Sequence, residues 1–147
     1  MRFMAIVQAT RETEAGALPT PDILEAMGQF NQEMAKAGVF EAGDGLQATS
    51  KGARVHFNGA SKPTVQDGPF TESKELIAGF WILRVKSREE AIEWIRRSPN
   101  PYYKGEGYVE IRQILDAEDF APSDPTGAVR EAEAKLRDQI ASRPPRG

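Results

Sequence analysis

Asp67 is the residue of this 147-residue chain that is best placed for proton transfer. It opens the segment Asp67-Gly68-Pro69-Phe70 and precedes an apolar run, LIAGFWILRV, that begins at Leu76. A carboxylate held beside an apolar strand can serve as a general base. An Asp before Gly-Pro also favours a turn, in which its oxygens accept backbone N–H groups. The sequence leaves both interpretations of Asp67 open, a catalytic base and a turn-forming residue.

Arg54 and His56 form a second candidate group. They alternate with Val55 and Phe57 in ARVHF, so they share one face of a predicted strand. An arginine beside a histidine can bind an anionic substrate and move its proton. Because hairpin strands in such an arrangement tend to be peripheral, simple exposure of both side chains is the alternative.

Five further residues are candidate ligand-binding positions. Asn31 and Gln47 are the uncharged polar residues nearest the expected cleft. Glu72 lies in the charged stretch before the apolar run, Trp81 lies within that run, and Arg112 lies on the last predicted strand. Each also has a structural interpretation. The amides can satisfy backbone groups, Glu72 can lie on a solvated surface, Trp81 can pack in a core or interface, and Arg112 can form an ion pair.

Composition excludes several kinds of site. The formal charge of -3, with no dense Lys/Arg stripe, disfavours nucleic acid and anionic lipid as partners. The absence of cysteine excludes disulfides, thiolate metal sites and thiol catalysis, and a single histidine excludes a site built from several imidazoles. No G-x-x-x-x-G-K-[ST] motif occurs. We therefore expect neither a metal nor a cofactor.

The apolar segments are short. None approaches the roughly 18 residues that a membrane span needs, and the N-terminal apolar run is too short for the core of a signal peptide. We therefore expect no membrane association and a cytoplasmic location.

The apolar periodicity and the capping residues predict an α+β fold. Thr20-Pro21 opens a helix that ends before Gly38, and Ser87 opens a second helix with Glu90 three residues later. Strands are predicted before, between and after these helices, with a hairpin at Asn58-Gly59. This order predicts a ferredoxin-like β-α-β-β-β-α-β antiparallel sheet with both helices on one face.

The composition changes after residue 120. Residues 121–147 contain four of the ten prolines and no aromatic residue, with one helix-competent stretch, AVREAEAKLRDQIA. We therefore predict a domain at 1–120 and an appended Pro-rich and helical tail at 121–147, in which Val129, Leu136 and Ile140 fall near one helical stripe.

Two of the predicted strands are apolar on both faces. In RFMAIVQA, Phe3 and Ala5 lie on one face and Met4 and Ile6 on the other, and LIAGFWILRV is similar. Because the two helices can cover only one face of the sheet, we predict a homodimer in which the sheets of two copies face each other.

The segment DGPFTESKE, followed by LIAGFW, resembles the DGPF (DGPFAETKE) group of the YCII-related family. Supporting segments are KAGVFEAGDGLQATSKGARVHF before it, and KSREEAIEWIRRSPNP and GYVEIRQILDAEDF after it, so the resemblance covers about residues 1–120. It implies a dimeric α+β barrel with ligand pockets beside the interface between the sheets. Some relatives are cofactor-free lyases or isomerases that use a histidine on the first helix with an aspartate nearby. The helix PDILEAMGQFNQEMAKAG contains no histidine, so that chemistry is not carried over.

Two functions follow as hypotheses. The first is a small-molecule-binding dimer with a pocket beside the dimer interface. The second is a cofactor-free enzyme that transfers a proton on a small acidic or aromatic substrate, with Asp67 as the base and Arg54 or Arg112 binding an anionic group.

Overall fold

The computed structural model describes residues 1–71 and 73–147. Its strands form one four-stranded antiparallel sheet and one separate two-stranded hairpin. In chain order they are β1 (Arg2–Gln8), β2 (Phe40–Gly45), β3 (Ala53–His56), β4 (Thr64–Asp67), β5 (Ile77–Arg84) and β6 (Val109–Gln113).

The helices lie between and after these strands. They are α1 (Arg11–Glu14), α2 (Pro21–Lys36), α3 (Arg88–Arg96) and α4 (Ala128–Ala141). Short 3₁₀ turns occupy Thr49–Lys51, Ser73–Glu75 and Ala117–Ser123. Within the described residues, no helix is both long enough and apolar enough to span a bilayer.

The sheet has the order β2-β5-β1-β6. Helix α2 connects β1 to β2, and β5 lies between these two strands in the sheet. Helix α3 connects β5 to β6, and β1 lies between those two. Each half is therefore a split β-α-β unit, and the predicted ferredoxin-like α+β fold is confirmed. The inserted segment forms β3 and β4, which pair only with each other among the described strands.

Local sequence explains where α2 and α3 begin. Pro21 occupies the first turn of α2. Its missing N–H removes no hydrogen bond there, because the N–H groups of the first turn have no partner within the helix. In α3, the Ser87 hydroxyl accepts the Glu90 N–H at 3.1 Å, as predicted. The Glu90 carboxylate accepts the Lys86 N–H at 2.7 Å. In a regular capping box it would accept the N–H of the N-cap residue, Ser87, so the donor here is one residue earlier in the chain.

One face of the sheet forms the core. Phe3, Trp81 and Leu83 of the sheet pack there. Helix α2 adds Phe30 and Met34, and helix α3 adds Ala91 and Ile95. The Trp81 ring meets Phe30 edge to face at a centroid distance of 6.0 Å. Helices α2 and α3 therefore contribute to the core from the same side.

The other side of the sheet, here called the open face, carries the alternate residues of β1 and β5. Met4 lies opposite Ile82, and Ile6 lies opposite Phe80. All four side chains are half-buried although α2 and α3 pack on the other side.

Residues 115–147 form a second compact unit. Asp124, 7% exposed, accepts the backbone N–H groups of Val129 and Arg130 and the Arg130 Nε–H. These bonds lower the pKa of the Asp124 carboxyl, the backbone bond from Arg130 first among them. Helix α4 coincides with the predicted helix-competent stretch. The first unit ends at Ile114, and the predicted domain boundary at residue 120 stays a prediction.

Replacement of Trp81 by alanine tests the core. Because the indole is 6% exposed and its Nε1–H is bonded to Asn31, we expect Trp81→Ala to lower the free energy of unfolding by about 3–5 kcal/mol. Urea unfolding followed by far-UV circular dichroism measures this change. Phe57→Ala is the control, since Phe57 is 81% exposed, and it should change stability by less than about 0.5 kcal/mol. A loss below about 1 kcal/mol for Trp81→Ala would contradict the placement of the indole in the core.

Candidate ligand site at one end of the sheet

The segments that follow β1 and β2 and those that precede β5 and β6 meet at one end of the sheet. The last residue of β1, Gln8, lies opposite Ile77 at the start of β5, and Val7 lies opposite Val109 at the start of β6. The end of β2 reaches the same place, with Gly45 opposite Gly79. Side chains from distant parts of the sequence therefore meet there.

Two tyrosines and Gln8 connect these loops. The Tyr102 hydroxyl accepts the Gln8 N–H at 3.0 Å and donates to the Tyr108 carbonyl at 2.6 Å. The Gln8 side-chain amide donates to the Tyr108 hydroxyl and, at 3.1 Å, to the Lys74 carbonyl. This Tyr–Gln network fixes the segment before β6 and the segment before β5 against the end of β1.

Burial raises the pKa of Tyr102 above its ordinary value, although the bond from the Gln8 N–H acts in the opposite direction. The phenol therefore stays protonated at neutral pH. It can therefore donate its hydrogen to the Tyr108 carbonyl.

A recess of about 220 Å³ lies on the open face beside the Tyr–Gln network. Its floor and walls combine apolar side chains with charged and amide groups. The lining residues are Ile6, Gln8, Lys74, Glu75, Leu76, Ile77, Tyr108 and Glu110. The mixture of an apolar surface with a few polar groups is typical of small-molecule sites.

The predicted catalytic residue lies elsewhere. Asp67 is exposed at the last position of β4, opposite Ala53, and it does not line the recess. Among the described residues, no group donates a hydrogen bond to its carboxylate. Neither the catalytic nor the turn-forming interpretation of Asp67 is decided by this placement, and both stay predictions.

The residues after Asp67 are held by groups that the sequence analysis missed. The Phe70 N–H donates to the Thr49 hydroxyl at 3.0 Å, and that hydroxyl donates to Glu14 at 2.6 Å. A Cβ atom on Gly68 would lie 1.7 Å from the Thr49 carbonyl oxygen, so only glycine allows this approach. No local motif signals Glu14 or Thr49, because the two residues are 35 positions apart.

The hairpin brings together Arg54 and Phe70. The Arg54 guanidinium lies 3.9 Å from the centroid of the Phe70 ring, a cation–π contact. The exposed His56 ring bonds through Nε2 to Gln66 at 2.8 Å. Arg54 and His56 are on the same short strand, as predicted, but neither lines the recess.

The remaining predicted residues are distributed over both faces. Asn31 accepts the Trp81 indole N–H at 2.9 Å on the helix-covered face. Gln47 is exposed beyond the end of β2, and Arg112 lies on the open face opposite Met4. Glu72 lies outside the described residues. The ligand-binding role of each of these residues stays a prediction.

None of the described residues that line the recess was among the predicted site residues. Within the parts of the chain that the structure covers, 1–71 and 73–147, no cluster of three or more His, Asp or Glu side chains could hold a metal ion.

Comparison with known proteins assigns the family. The family model described as the YCII-related domain matches residues 1–128. The chain belongs to the YCII-related family. A solved structure that is similar to this YCII-related domain is a 5-chloro-2-hydroxyhydroquinone dehydrochlorinase from Burkholderia phenoliruptrix, in complex with 2,5-dihydroxybenzoquinone. It is 12% identical, the match covers 81% of this chain and 98% of that chain, and the TM-score is 0.46. No curated protein matches the chain.

An ion-pair cluster lies at the opposite end of the open face. Arg2 and Arg84 both bond to the Glu41 carboxylate, at 2.7 Å and 3.0 Å. The bond from Arg2, followed by the charges of both arginines, holds the pKa of Glu41 below its ordinary value.

The lowered pKa of Glu41 predicts a pH dependence of stability. A lowered pKa in the folded state gives stability that is present above the unfolded pKa of about 4.5 and is lost as the pH falls through the folded pKa. We expect Glu41→Gln to lower the free energy of unfolding by about 0.5–1 kcal/mol near neutral pH, and the difference from wild type to shrink in acid. Urea unfolding at a series of pH values measures it. Glu93→Gln, which removes an exposed pair with Arg96, is the control. A difference that does not depend on pH would contradict the assignment.

The glycine of the DGPF segment gives a second prediction. Because any side chain at Gly68 meets the Thr49 carbonyl, Gly68→Ala should lower the free energy of unfolding by about 2–4 kcal/mol. Thermal unfolding measures the change. Gly28→Ala is the matched control, since that glycine lies inside α2 with open space around it, and it should raise stability by about 0.5–1 kcal/mol. Equal effects of the two substitutions would show that the contact between Gly68 and Thr49 does not constrain the fold.

Proposed function

We propose that this YCII-related domain is a small-molecule-binding homodimer, in which the open faces of two copies meet and the recess beside Ile6 and Glu110 becomes a closed pocket. The observation that carries the proposal is the recess itself. It lies on the face of the sheet that α2 and α3 leave uncovered. We also infer that the chain belongs to the DGPF group, on the motif DGPFTESKE.

The open face has the character of an interface. Met4, Ile6, Phe80 and Ile82 form a continuous apolar centre through their cross-strand pairs. Charged residues surround it, with Arg2, Glu41 and Arg84 at one end. An apolar centre with a polar rim is the usual composition of a protein interface.

The size of the recess supports a shared pocket. Ligand pockets commonly have volumes of about 300–1,000 Å³ and cover most of the ligand surface. At about 220 Å³ the recess of one copy is smaller than this. A second sheet placed over the open face would enlarge and close it.

The charges of the recess favour one class of ligand. Two carboxylates, Glu75 and Glu110, and one ammonium group, Lys74, line it, together with the hydroxyl of Tyr108 and the amide of Gln8. An excess of negative charge favours a neutral or cationic molecule over an anion. We therefore propose a small neutral or cationic ligand with an apolar body and a hydrogen-bonding group.

The alternative function, a cofactor-free enzyme with Asp67 as general base, has less support. A general base must lie within hydrogen-bond reach of the proton that it removes. Asp67 is exposed on the two-stranded hairpin and lines no part of the recess. The observations therefore favour ligand binding as the function.

The test combines oligomeric state with ligand binding. Light scattering at micromolar concentration should give twice the chain mass of 16.2 kDa for the wild type and the single mass for Ile82→Glu, which buries a charge in the proposed interface. Val65→Glu is the control and should stay dimeric, because Val65 is 68% exposed on the hairpin.

Each protein is then titrated with phenol, benzylamine and benzoate while the backbone amides are followed by ¹H–¹⁵N NMR. In the wild type, phenol and benzylamine should shift the amides of Ile6, Gln8 and Glu110 more than benzoate does, and these shifts should weaken in Ile82→Glu. A monomeric wild-type protein would overturn the proposed dimer. Amide shifts confined to residues outside the recess would overturn the proposed pocket.

A further inference from the structure

A larger cavity, of about 460 Å³, lies at the β6 edge of the sheet, on the side of the helices. Three parts of the chain form its walls: α3, the segment of residues 98–108, and β6. The lining residues are Ile92, Ile95, Arg96, Ser98, Asn100, Pro101, Tyr102, Gly107, Tyr108, Val109 and Ile111. This edge cavity is separate from the recess, although Tyr108 contributes to both.

The wall made by residues 98–108 is held in place by its own hydrogen bonds. The Asn100 side chain accepts the Tyr102 N–H at 2.8 Å and donates to the Gly105 carbonyl at 3.1 Å. The Gly105 N–H donates to the Tyr102 carbonyl at 2.8 Å. A Cβ atom on Gly107 would lie 2.5 Å from the Tyr102 ring, so the ring rests directly on the backbone there. The edge cavity is therefore formed before any ligand binds.

The lining of the edge cavity is mainly apolar with one charged group. Ile92 and Ile95 of α3 and Val109 and Ile111 of β6 supply its apolar lining. Arg96, at the end of α3, is the charged residue among the lining side chains. The chemistry of the cavity is therefore that of an apolar space with a guanidinium group at its margin.

Arg96 is available to bind a ligand anion. Its bond to Glu93 measures 3.0 Å, but the two side chains are 73% and 63% exposed. An exposed pair of this kind contributes little free energy, so a ligand carboxylate or sulfonate can replace Glu93 at small cost. A guanidinium group binds such anions through paired, charge-assisted hydrogen bonds.

We propose that the edge cavity is a second ligand site that prefers an amphipathic anion: a molecule with an apolar body and one carboxylate or sulfonate group. The apolar body lies against the exposed parts of the lining side chains of α3 and β6, and the anionic group binds Arg96. The volume of about 460 Å³ lies within the range of ordinary small-molecule pockets. This site takes the opposite charge class from the recess on the open face and does not depend on the dimer.

A pair of fluorescent probes tests the proposal. 8-Anilinonaphthalene-1-sulfonate has an apolar aromatic body and one sulfonate, and N-phenyl-1-naphthylamine has the same body without the charge. Both should bind the wild-type protein. Arg96→Gln should weaken binding of the sulfonate about five- to tenfold, the loss expected for one exposed charge-assisted contact, and leave binding of the uncharged probe unchanged.

Arg88→Gln is the matched control, because Arg88 is also exposed on α3, at 70%, and does not line the cavity. It should leave the affinity of both probes unchanged. If Arg96→Gln and Arg88→Gln weaken binding of the sulfonate equally, the proposal is overturned, since binding then responds to net charge alone. It is also overturned if Arg96→Gln weakens binding of both probes equally.

Occupancy of the cavity is checked in two ways. Ile92→Trp, which fills the space, should abolish binding of both probes while the far-UV circular dichroism stays that of the wild type. Amide shifts measured on the wild-type protein give an answer even where that variant fails to fold. Addition of the sulfonate should shift Ile92, Asn100 and Ile111. Shifts at Met4, Ile6 and Ile82 in their place would put the probe on the open face and overturn the proposal, without deciding whether phenol binds the recess.

Discussion

Strand β1 forms backbone hydrogen bonds on both of its edges, to β5 on one side and to β6 on the other. This central position fixes the two faces of the sheet, because the side chains of a strand alternate. Phe3 and Ala5 point to the helices, and Met4 and Ile6 point to the open face. A shift of one residue in this pairing would exchange the two sets and place Arg2 and Gln8 in the core. The core, the open face and the recess all depend on this register.

The same register determines which loops can meet. Since β1 ends where β5 and β6 begin, the segments before those two strands lie next to Gln8. The Gln8 N–H donates to the Tyr102 hydroxyl, and the Gln8 side-chain amide donates to the Tyr108 hydroxyl and the Lys74 carbonyl. Without these bonds, the part-buried Gln8 N–H would lose its partner on Tyr102, and a buried donor left unpaired costs about 1–3 kcal/mol. The loops are thus ordered by polar groups that the strand pairing brings within reach.

The sequence could predict features that depend on local spacing. The apolar residues of β1 and β5 indicated the two central strands, Ser87 and Glu90 indicated the start of α3, and the stretch at 128–141 indicated α4. Contacts between distant residues could not be predicted in this way. Gln8 and Tyr102 are 94 positions apart, and the approach of Gly68 to Thr49 depends on how the hairpin folds back. The candidate site is built mainly from contacts of this second kind. For this reason the α+β fold followed from the sequence, whereas the residues of the recess did not.

The two cavities lie on opposite sides of the sheet and share a wall. Tyr102 lines the edge cavity, and its hydroxyl bonds to the Tyr108 carbonyl, while Tyr108 also borders the recess. Gly107 allows the Tyr102 ring to lie against the backbone, since a Cβ atom there would lie 2.5 Å from the ring. A displacement of the Tyr102 ring would therefore break bonds to Gln8 and Tyr108 together. Through these two hydrogen bonds Tyr102, which lines the edge cavity, holds Gln8 and Tyr108, which line the recess.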